Sequence, residues 1–379
     1  MKTARKVVVL GTGRVGKAVA LDLSQRYRVT AVDIERGASP QLEDAGVEVI
    51  NGDATDHGVL AGLIGDADLV VNALPGHLGF DVLRNVIRCG KSIVDISFFS
   101  EDPFELDDLA RSKGVVAVID CGVAPGLSNM ILGNRYRQME ISDFACYVGG
   151  LPRVRRWPYQ YKAPFSPLDV IEEYTRPARL VEKGQVVVRP ALSDLEHLDF
   201  DDIGTLEAFN TDGLRTLLRT VRIPNMREKT LRYPGHSEYI SVLRETGFFS
   251  TEPVDVNGQR IAPLEMTARL LFPHWQLGEN EEEYTVMRIV VEGGEKGEAV
   301  RYTYYLCDRF DRRTGLSSMA RTTGFTCTAV ASLVLEGRIP EAGMMPPELI
   351  GMDQGRFDYV VGHLKSRNVR LEMSREVLS

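Results

Sequence analysis

Gly11, Gly13 and Gly16 stand in the order G-T-G-R-V-G directly after the apolar run Val7-Val8-Val9-Leu10, and Asp33 closes the next apolar segment about twenty residues on. This pattern suits the binding of a dinucleotide. Gly11 permits a tight turn, Gly13 lets the backbone approach a pyrophosphate, and Gly16 allows helix and strand to touch. The amides of Arg14 and Val15 open the following helix, where N–H groups without an intrahelical partner and the helix dipole favour phosphate. Asp33 is placed to hold the ribose 2′-hydroxyl, and it bears on which dinucleotide is bound. A 2′-phosphate about 4 Å away would be repelled by ~4 kcal/mol per unit charge at an effective dielectric of ~20. An exposed Arg36 pairing with that phosphate offsets only ~0–1 kcal/mol. The expectation is therefore NAD rather than NADP.

Further chemistry-bearing residues fall at the ends of later apolar segments. Asn72-Ala73-Leu74-Pro75 follows the fourth, at the carboxyl edge where a doubly wound sheet binds ligands; the nicotinamide is expected there. Asp53 follows the third and reads either as an adenine contact or as a turn residue. Asp95 and Asp120 each end a strand, and Asp120 adjoins the run Gly122 to Gly126, so it is preferred as the acid that orients a base. Cys121 has no legible histidine partner and reads as packing. Pro125-Gly126 looks like a helix start, with Pro at an early helical position.

These residues need a scaffold of parallel strands and helices. The first 125 residues repeat a strand, turn and helix unit, with strands expected at 6–10, 28–33, 47–51, 68–72, 92–96 and 115–120. This is an α/β fold with an N-terminal doubly wound parallel (Rossmann) sheet. After residue 140 the pattern changes to longer alternating segments and hairpin signals, such as Val254 to Arg260 around Asn257-Gly258, and 284–292 with 299–307. With helices at 167–174, 263–271 and 322–336, this reads as a second α+β domain on an antiparallel sheet. The expected division is 1–125 for the dinucleotide and 126–345 for substrate and dimer contacts. The tail from Pro346, with a helix near 354–366 and a strand at 369–372, is expected to return to the first domain.

Composition narrows the partners. A chain of 379 residues with a formal charge of −8 carries no basic stripe for nucleic acid or anionic lipid. No stretch approaches the ~20 apolar residues of a membrane span. Five scattered cysteines, without C-x-x-C spacing, argue against a disulfide framework or a metal site and fit a cytoplasmic setting.

Several segments resemble the saccharopine dehydrogenase-like family, and within it the lysine 6-dehydrogenases most closely. They are Val71 to Pro75, Ser92 to Ser97, Asp120 to Asn129, Val148 to Pro152, Tyr161-Lys162 before Phe165-Ser166-Pro167, Glu207 to Gly213 and Lys229 to His236. The resemblance implies NAD-dependent oxidative deamination of L-lysine at its ε-amino carbon, and relatives suggest a homodimer. Saccharopine or a carboxylated polyamine, each a secondary amine, is the alternative substrate; a non-catalytic NAD-binding redox sensor is an alternative of another class.

Such a reaction needs a base and a grip on the substrate carboxylate. Arg232 is the first choice for the grip, since a guanidinium fork matches a carboxylate bidentately. Asn210 and Thr211 either add donors to it or form the turn before Gly213. Lys162, in the segment the resemblance places at the active site, and His236 are the candidate bases. Tyr161, with Trp157 and Tyr159, walls an aliphatic chain or simply packs, and Arg153, Arg155 and Arg156 are either extra carboxylate grips or a solvated run. His77 ranks below His236, and His57, His197, His274 and His363 read as structural or surface residues.

Overall fold

A computed structural model describes residues 5–35, 39–164, 166–278 and 280–378. Arg36 and Phe165 lie outside the described residues. The chain forms two compact units, one of residues 1–138 with 320–370 and the other of 139–319 with 371–379.

The first unit carries β1 (Lys6–Leu10), β2 (Arg28–Asp33), β3 (Glu48–Asn51), β4 (Leu69–Asn72), β5 (Ile93–Asp95) and β6 (Val116–Val118). They pair in the order β3-β2-β1-β4-β5-β6, all parallel. The cores of the inner strands are buried on both faces, with Val7 to Leu10 and Leu69 to Val71 all at 0% exposure, which is why they read as unbroken apolar runs, whereas β3 at the edge is partly exposed. A seventh parallel strand, Gly343–Met345, adds to the free edge of β6 from more than two hundred residues away. Three apolar residues gave no strand signal of their own.

A buried knot ties the distant segment into this unit. Asp22, on the helix Arg14–Ser24, accepts hydrogen bonds from Thr328 Oγ1 at 2.6 Å and from Arg367 Nε at 2.6 Å, with His363 Nε2 at 3.3 Å. Thr328 belongs to the helix Ser318–Leu335 and His363 to the helix Gln354–Ser366. Burial pushes the Asp22 carboxyl up, and the bonds from His363 and Arg367 outweigh it and hold the group below the usual carboxylate range. The helix read at 322–336, expected in the second domain, thus packs mainly within the first.

The second unit contains β7 (Glu140–Pro152), β8 (Ala178–Glu182), β9 (Gln185–Arg189), β10 (Glu196–Phe200), β11 (Gly204–Asn210), β12 (Asn225–Arg232), β13 (Val254–Val256), β14 (Gln259–Ile261), β15 (Glu283–Glu295) and β16 (Glu298–Arg309). With Gly343–Met345 counted as β17, the last strand is β18 (Glu372–Val377). The sheet runs β10-β11-β12-β7-β15-β16-β18, with β8 on β12 and β9 on β8. It is mixed rather than wholly antiparallel, because β7 and β12 run parallel, and the long connection between them supplies the crossover such a pair requires. The strand expected at 369–372 starts at Glu372 and joins β16 here, so the tail divides between the units. The Asn257-Gly258 turn has φ of 54° and 81°, as a two-residue hairpin demands, yet β13 and β14 stand apart as a two-stranded ribbon.

Phe209 of β11 packs with the helices Pro167–Thr175, His236–Glu245 and Pro263–Trp275 in a core of Tyr161, Tyr174, Ile240, Leu271 and Trp275.

Replacing Asp22 by Asn is expected to lower the unfolding free energy by about 3 kcal/mol, the scale for breaking a buried ion pair. Because the native carboxyl sits below its unfolded value, the stability it gives is present above that value and lost as pH falls through the native one. Denaturant titrations at pH 7 and pH 3 should therefore show the wild-type advantage at pH 7 shrinking at pH 3.

Candidate functional site

The glycine turn of the first unit is held by backbone contacts that leave no room for side chains. A Cβ on Gly16 would lie 2.0 Å from the Gly11 carbonyl oxygen, and one on Gly11, at φ +93°, would lie 2.8 Å from the Ala73 oxygen. Gly13 differs, since a Cβ there would meet nothing within 4 Å. The turn is closed where protein packs on protein and open at the position assigned to the pyrophosphate. Gly13 caps the helix Arg14–Ser24, whose first turn holds no acidic residue, so the positive end of its dipole is not cancelled locally.

Asp33 is locked onto the same turn. Its Oδ2 accepts from Thr12 N and Thr12 Oγ1, both at 2.7 Å, and its Oδ1 from Glu35 N at 3.1 Å. Partial burial raises its pKa, but the bonds from Thr12 and Glu35 prevail and keep it below the usual range. The carboxylate is therefore ionised at neutral pH. Asp53 is taken up in a turn, accepting from Thr55 N at 2.9 Å and Thr55 Oγ1 at 2.6 Å, which suits its turn reading.

At the carboxyl edge of the sheet, Ala73 N donates to Leu10 O at 2.8 Å and Leu74 N to Asn72 Oδ1 at 3.3 Å, which presses the 72–75 segment against the glycine turn. Pro75 caps the next helix, Gly76–Arg88, and is exposed. Asn72 Nδ2 donates to Asp95 Oδ2 at 2.7 Å, and Ser97 donates its amide at 2.6 Å and its hydroxyl to Asp95 Oδ1. Burial drives the Asp95 carboxyl up to about 7, further raised by Asp120, while the bonds from Ser97 and Asn72 oppose the shift. Asp95, passed over in favour of Asp120, is thus the carboxyl poised to titrate near neutrality. Asp120 is 2% exposed with φ 51°. Pro125 is not an early helical residue, since the helix starts at Leu127 with Gly126 as its cap.

In the second unit the residues assigned to substrate converge on one buried cation. Arg232, 2% exposed, donates through Nε to Tyr174 OH at 3.0 Å, and through its terminal nitrogens to Glu173 Oε2 at 2.7 Å, Leu231 O at 2.9 Å and Tyr161 OH at 3.4 Å. Its guanidinium also lies 4.4 Å from the centre of the Tyr161 ring. This arrangement does not offer a carboxylate grip, because the fork is already engaged by the protein.

His236 is not a base either. Its Nδ1 lies 2.9 Å from the Tyr159 carbonyl, which can only accept, so Nδ1 carries the proton. Nε2 is then the acceptor for the Tyr174 hydroxyl at 2.9 Å. Burial, aided by the Arg232 charge, lowers the imidazole pKa to about 3. Glu207 anchors the start of its helix, accepting from Gly235 N at 2.8 Å and Ser237 N at 2.6 Å.

Asn210 closes β11 and Thr211 follows it, and both side chains bond to neighbours within the protein. Asn210 Nδ2 bonds Asp194 Oδ2 at 2.6 Å and Ser193 Oγ at 3.1 Å, and the Thr211 and Thr230 hydroxyls meet at 2.9 Å. Both residues are buried. Tyr161 packs edge-on to Trp275 at 5.7 Å and walls a core, whereas Trp157 is 83% exposed. Arg153 pairs with Glu282, and Arg155 stacks 3.9 Å over Tyr233. Lys162 remains at the margin of the cluster, its side chain 15% exposed, with Nζ donating to Gln276 O at 3.1 Å and 4.0 Å from Glu281 Oε2. Glu173, Tyr174 and Glu207 were not singled out, since a buried partner of an arginine leaves no mark in spacing.

Residues 7–118 match the family described as the saccharopine dehydrogenase NADP binding domain, and residues 122–369 the saccharopine dehydrogenase C-terminal domain. The chain belongs to the saccharopine dehydrogenase family. Among relatives of this family, a saccharopine dehydrogenase [NADP(+), L-glutamate-forming] of Pyricularia oryzae is 26% identical over 70% of this chain, which spans 63% of that relative's length. A carboxyaminopropylagmatine dehydrogenase of Synechocystis is 23% identical, with 92% of this chain and 93% of the relative covered. The fold is that of the apo saccharopine dehydrogenase (L-Glu forming) of Saccharomyces cerevisiae, at a TM-score of 0.80 and 19% identity over 98% of this chain and 100% of that one. Residues 7–118, within the first unit, are accordingly the nucleotide-binding domain of a saccharopine dehydrogenase family member, while residues 320–369 of the same unit fall within the C-terminal-domain match. Among the described residues, no helix is long and apolar enough to cross a membrane and no cluster of ligands suits a metal ion.

Two glycine variants separate binding from packing. Gly13→Ala should leave stability within about 0.5 kcal/mol while weakening dinucleotide binding at least tenfold by fluorescence titration. Gly16→Ala, with its Cβ driven into Gly11, should cost about 1–3 kcal/mol of stability by the overpacking scale.

Proposed function

We propose that the chain is an NAD-dependent dehydrogenase that oxidises a carbon–nitrogen bond of an amino-acid amine. The observation that carries this reading is Asp33, an ionised carboxylate fixed to the glycine turn by Thr12. It suits a ribose with a free 2′-hydroxyl and disfavours a 2′-phosphate, although the fungal relative's name carries NADP. The turn supports a dinucleotide by its shape, with Gly13 open and the Arg14 and Val15 amides at the start of a helix. When bound, the dinucleotide supplies a hydride acceptor.

The substrate read from the resemblance is L-lysine, oxidised at the ε-carbon. The amine nitrogen loses a proton, the carbon loses hydride, and water hydrolyses the imine to 2-aminoadipate 6-semialdehyde and ammonia. Lys162 is assigned the base, because His236 is spent in a neutral, doubly bonded imidazole. Arg232 and His236 act by position, holding the Tyr159–Lys162 loop. A secondary amine is the second reading, supported by the Synechocystis relative, which matches this chain nearly end to end.

Absorbance at 340 nm with L-lysine, saccharopine and carboxylated polyamines, each with NAD and NADP, tests the proposal. NADH formation with equimolar ammonia from L-lysine is the expected result; turnover of a secondary amine with release of a second amine moves the substrate to the second reading. Asp33→Ser should shift the kcat/KM preference toward NADP by about 1,000-fold, in line with the ~4 kcal/mol of repulsion it removes. Lys162→Met should lower kcat by about 10²–10⁴, the range for losing a general base, with NAD affinity unchanged.

A further inference from the structure

Strand register in the second unit builds a cavity that the amine chemistry does not use. Across four strands, Tyr147 of β7, Arg288 of β15, Tyr305 of β16 and Glu372 of β18 stand directly opposite one another in one row. Two residues along, the matching row is Arg227 of β12, Ala145, Val290 and Thr303. Side chains two apart on a strand share a face, so short residues lie between tall ones. A further row holds Glu292 opposite Arg301. Val290 and Thr303 form the floor, and Arg227 with the tall rows walls a cavity of about 650 Å³. That size suits a metabolite.

The charges around it are not evenly satisfied. Arg301 is held by Glu292 at 2.6 Å and Glu376 at 3.4 Å, and Asp202 by Arg309 at 3.3 Å and Tyr305 OH at 3.2 Å. Arg227 and Arg288 have no carboxylate partner among the described residues. Arg227 makes one long contact to Tyr147 OH at 3.5 Å, and Arg288 donates to Asp199 O at 2.6 Å while stacking 4.0 Å over Phe200. Both are half-buried, whereas Asp201 and Glu372 are exposed at the rim, where solvent screens them. Strands β12 and β15 flank β7 and the two arginines are two residues apart in register, which places their backbones about 12 Å apart. Two long guanidinium forks at that spacing reach either one oxyanion or both ends of a short dianion.

We propose that this cavity binds a small organic anion bearing carboxylate or phosphate groups, with Arg227 and Arg288 as its cationic ligands. Val290 and the Thr303 methyl take its apolar body. The site lies wholly within the second unit and does not depend on the assigned amine or dinucleotide.

Isothermal titration of the full chain with glutarate and, separately, with inorganic phosphate tests the proposal without any dinucleotide present. Saturable binding of at least one of them, one per chain, should weaken tenfold or more in Arg227→Ala and in Arg288→Ala and persist in Arg84→Ala. Glutarate binding alone assigns a carboxylate ligand, and phosphate binding alone a phosphorylated one. Thr303→Trp, which fills the floor and keeps both arginines, should abolish binding too, so the test survives if an arginine variant fails to fold. Absence of saturable binding to either probe overturns the site, as does binding indifferent to both arginines. If light scattering shows instead that the arginine variants change the oligomeric state and no probe binds, the arginines meet a second copy and the proposal fails.

Discussion

A guanidinium keeps its proton at any pH a protein meets, so burying one leaves a charge that the surroundings must answer. Arg232 sets that constraint for the second unit, since several kcal/mol are lost per ion that is buried without compensation. Glu173, the Tyr174 oxygen, the Leu231 carbonyl and the Tyr161 face all turn toward it. The consequences run outward in a fixed direction. Tyr174 accepts from Arg232, so its own proton goes to His236 Nε2; the imidazole must then donate from Nδ1, and the Tyr159 carbonyl receives it. The loop bearing Tyr159, Tyr161 and Lys162 is in this way positioned by a cation that Lys162 itself does not touch.

The first unit solves its problem with backbone instead of side chains. Gly11, Gly16 and Ala73 meet at distances that exclude any added carbon, and Asp33 is drawn to the same turn by the Thr12 amide and hydroxyl. A binding surface made of amides has no rotamers to order, so little conformational entropy is lost when a ligand arrives. The charged network of the second unit is rigid for another reason: Arg232, Tyr174 and His236 donate in series to fixed acceptors, and moving one member would strand the next.

The parallel sheet was legible because strands covered on both faces must be apolar throughout, and glycine spacing fixes where the chain turns. β1 and β2 were read from the sequence at their observed bounds, Lys6–Leu10 and Arg28–Asp33. Gly343–Met345 was not legible, since a three-residue strand next to Pro346 carries no period and its partner lies far off in the chain. The parallel pairing of β7 with β12 escaped for a related reason, as alternation reports a face and not a direction. At the site, residue type misled where burial decided. Arginine and histidine suggest a grip and a base when solvent or substrate can reach them, and Arg232 and His236 are 2% and 1% exposed. Asp95 shows the converse, the less favoured of two strand-end acids brought near neutrality by its surroundings.

Because Gly343–Met345 pairs with β6, more than two hundred residues earlier, the parallel sheet has an unfinished side until residue 345 has been made. During synthesis Val116–Val118 presents a row of unpaired amides and carbonyls, flanked by apolar residues, while the whole second unit is still being produced. Asp22 likewise waits for Thr328, His363 and Arg367. The parallel sheet is therefore finished only after residues 139–319 of the second unit have been made, and a ribosome-bound fragment ending before residue 343 would leave β6 as a sticky edge that Gly343–Met345 covers in the finished fold.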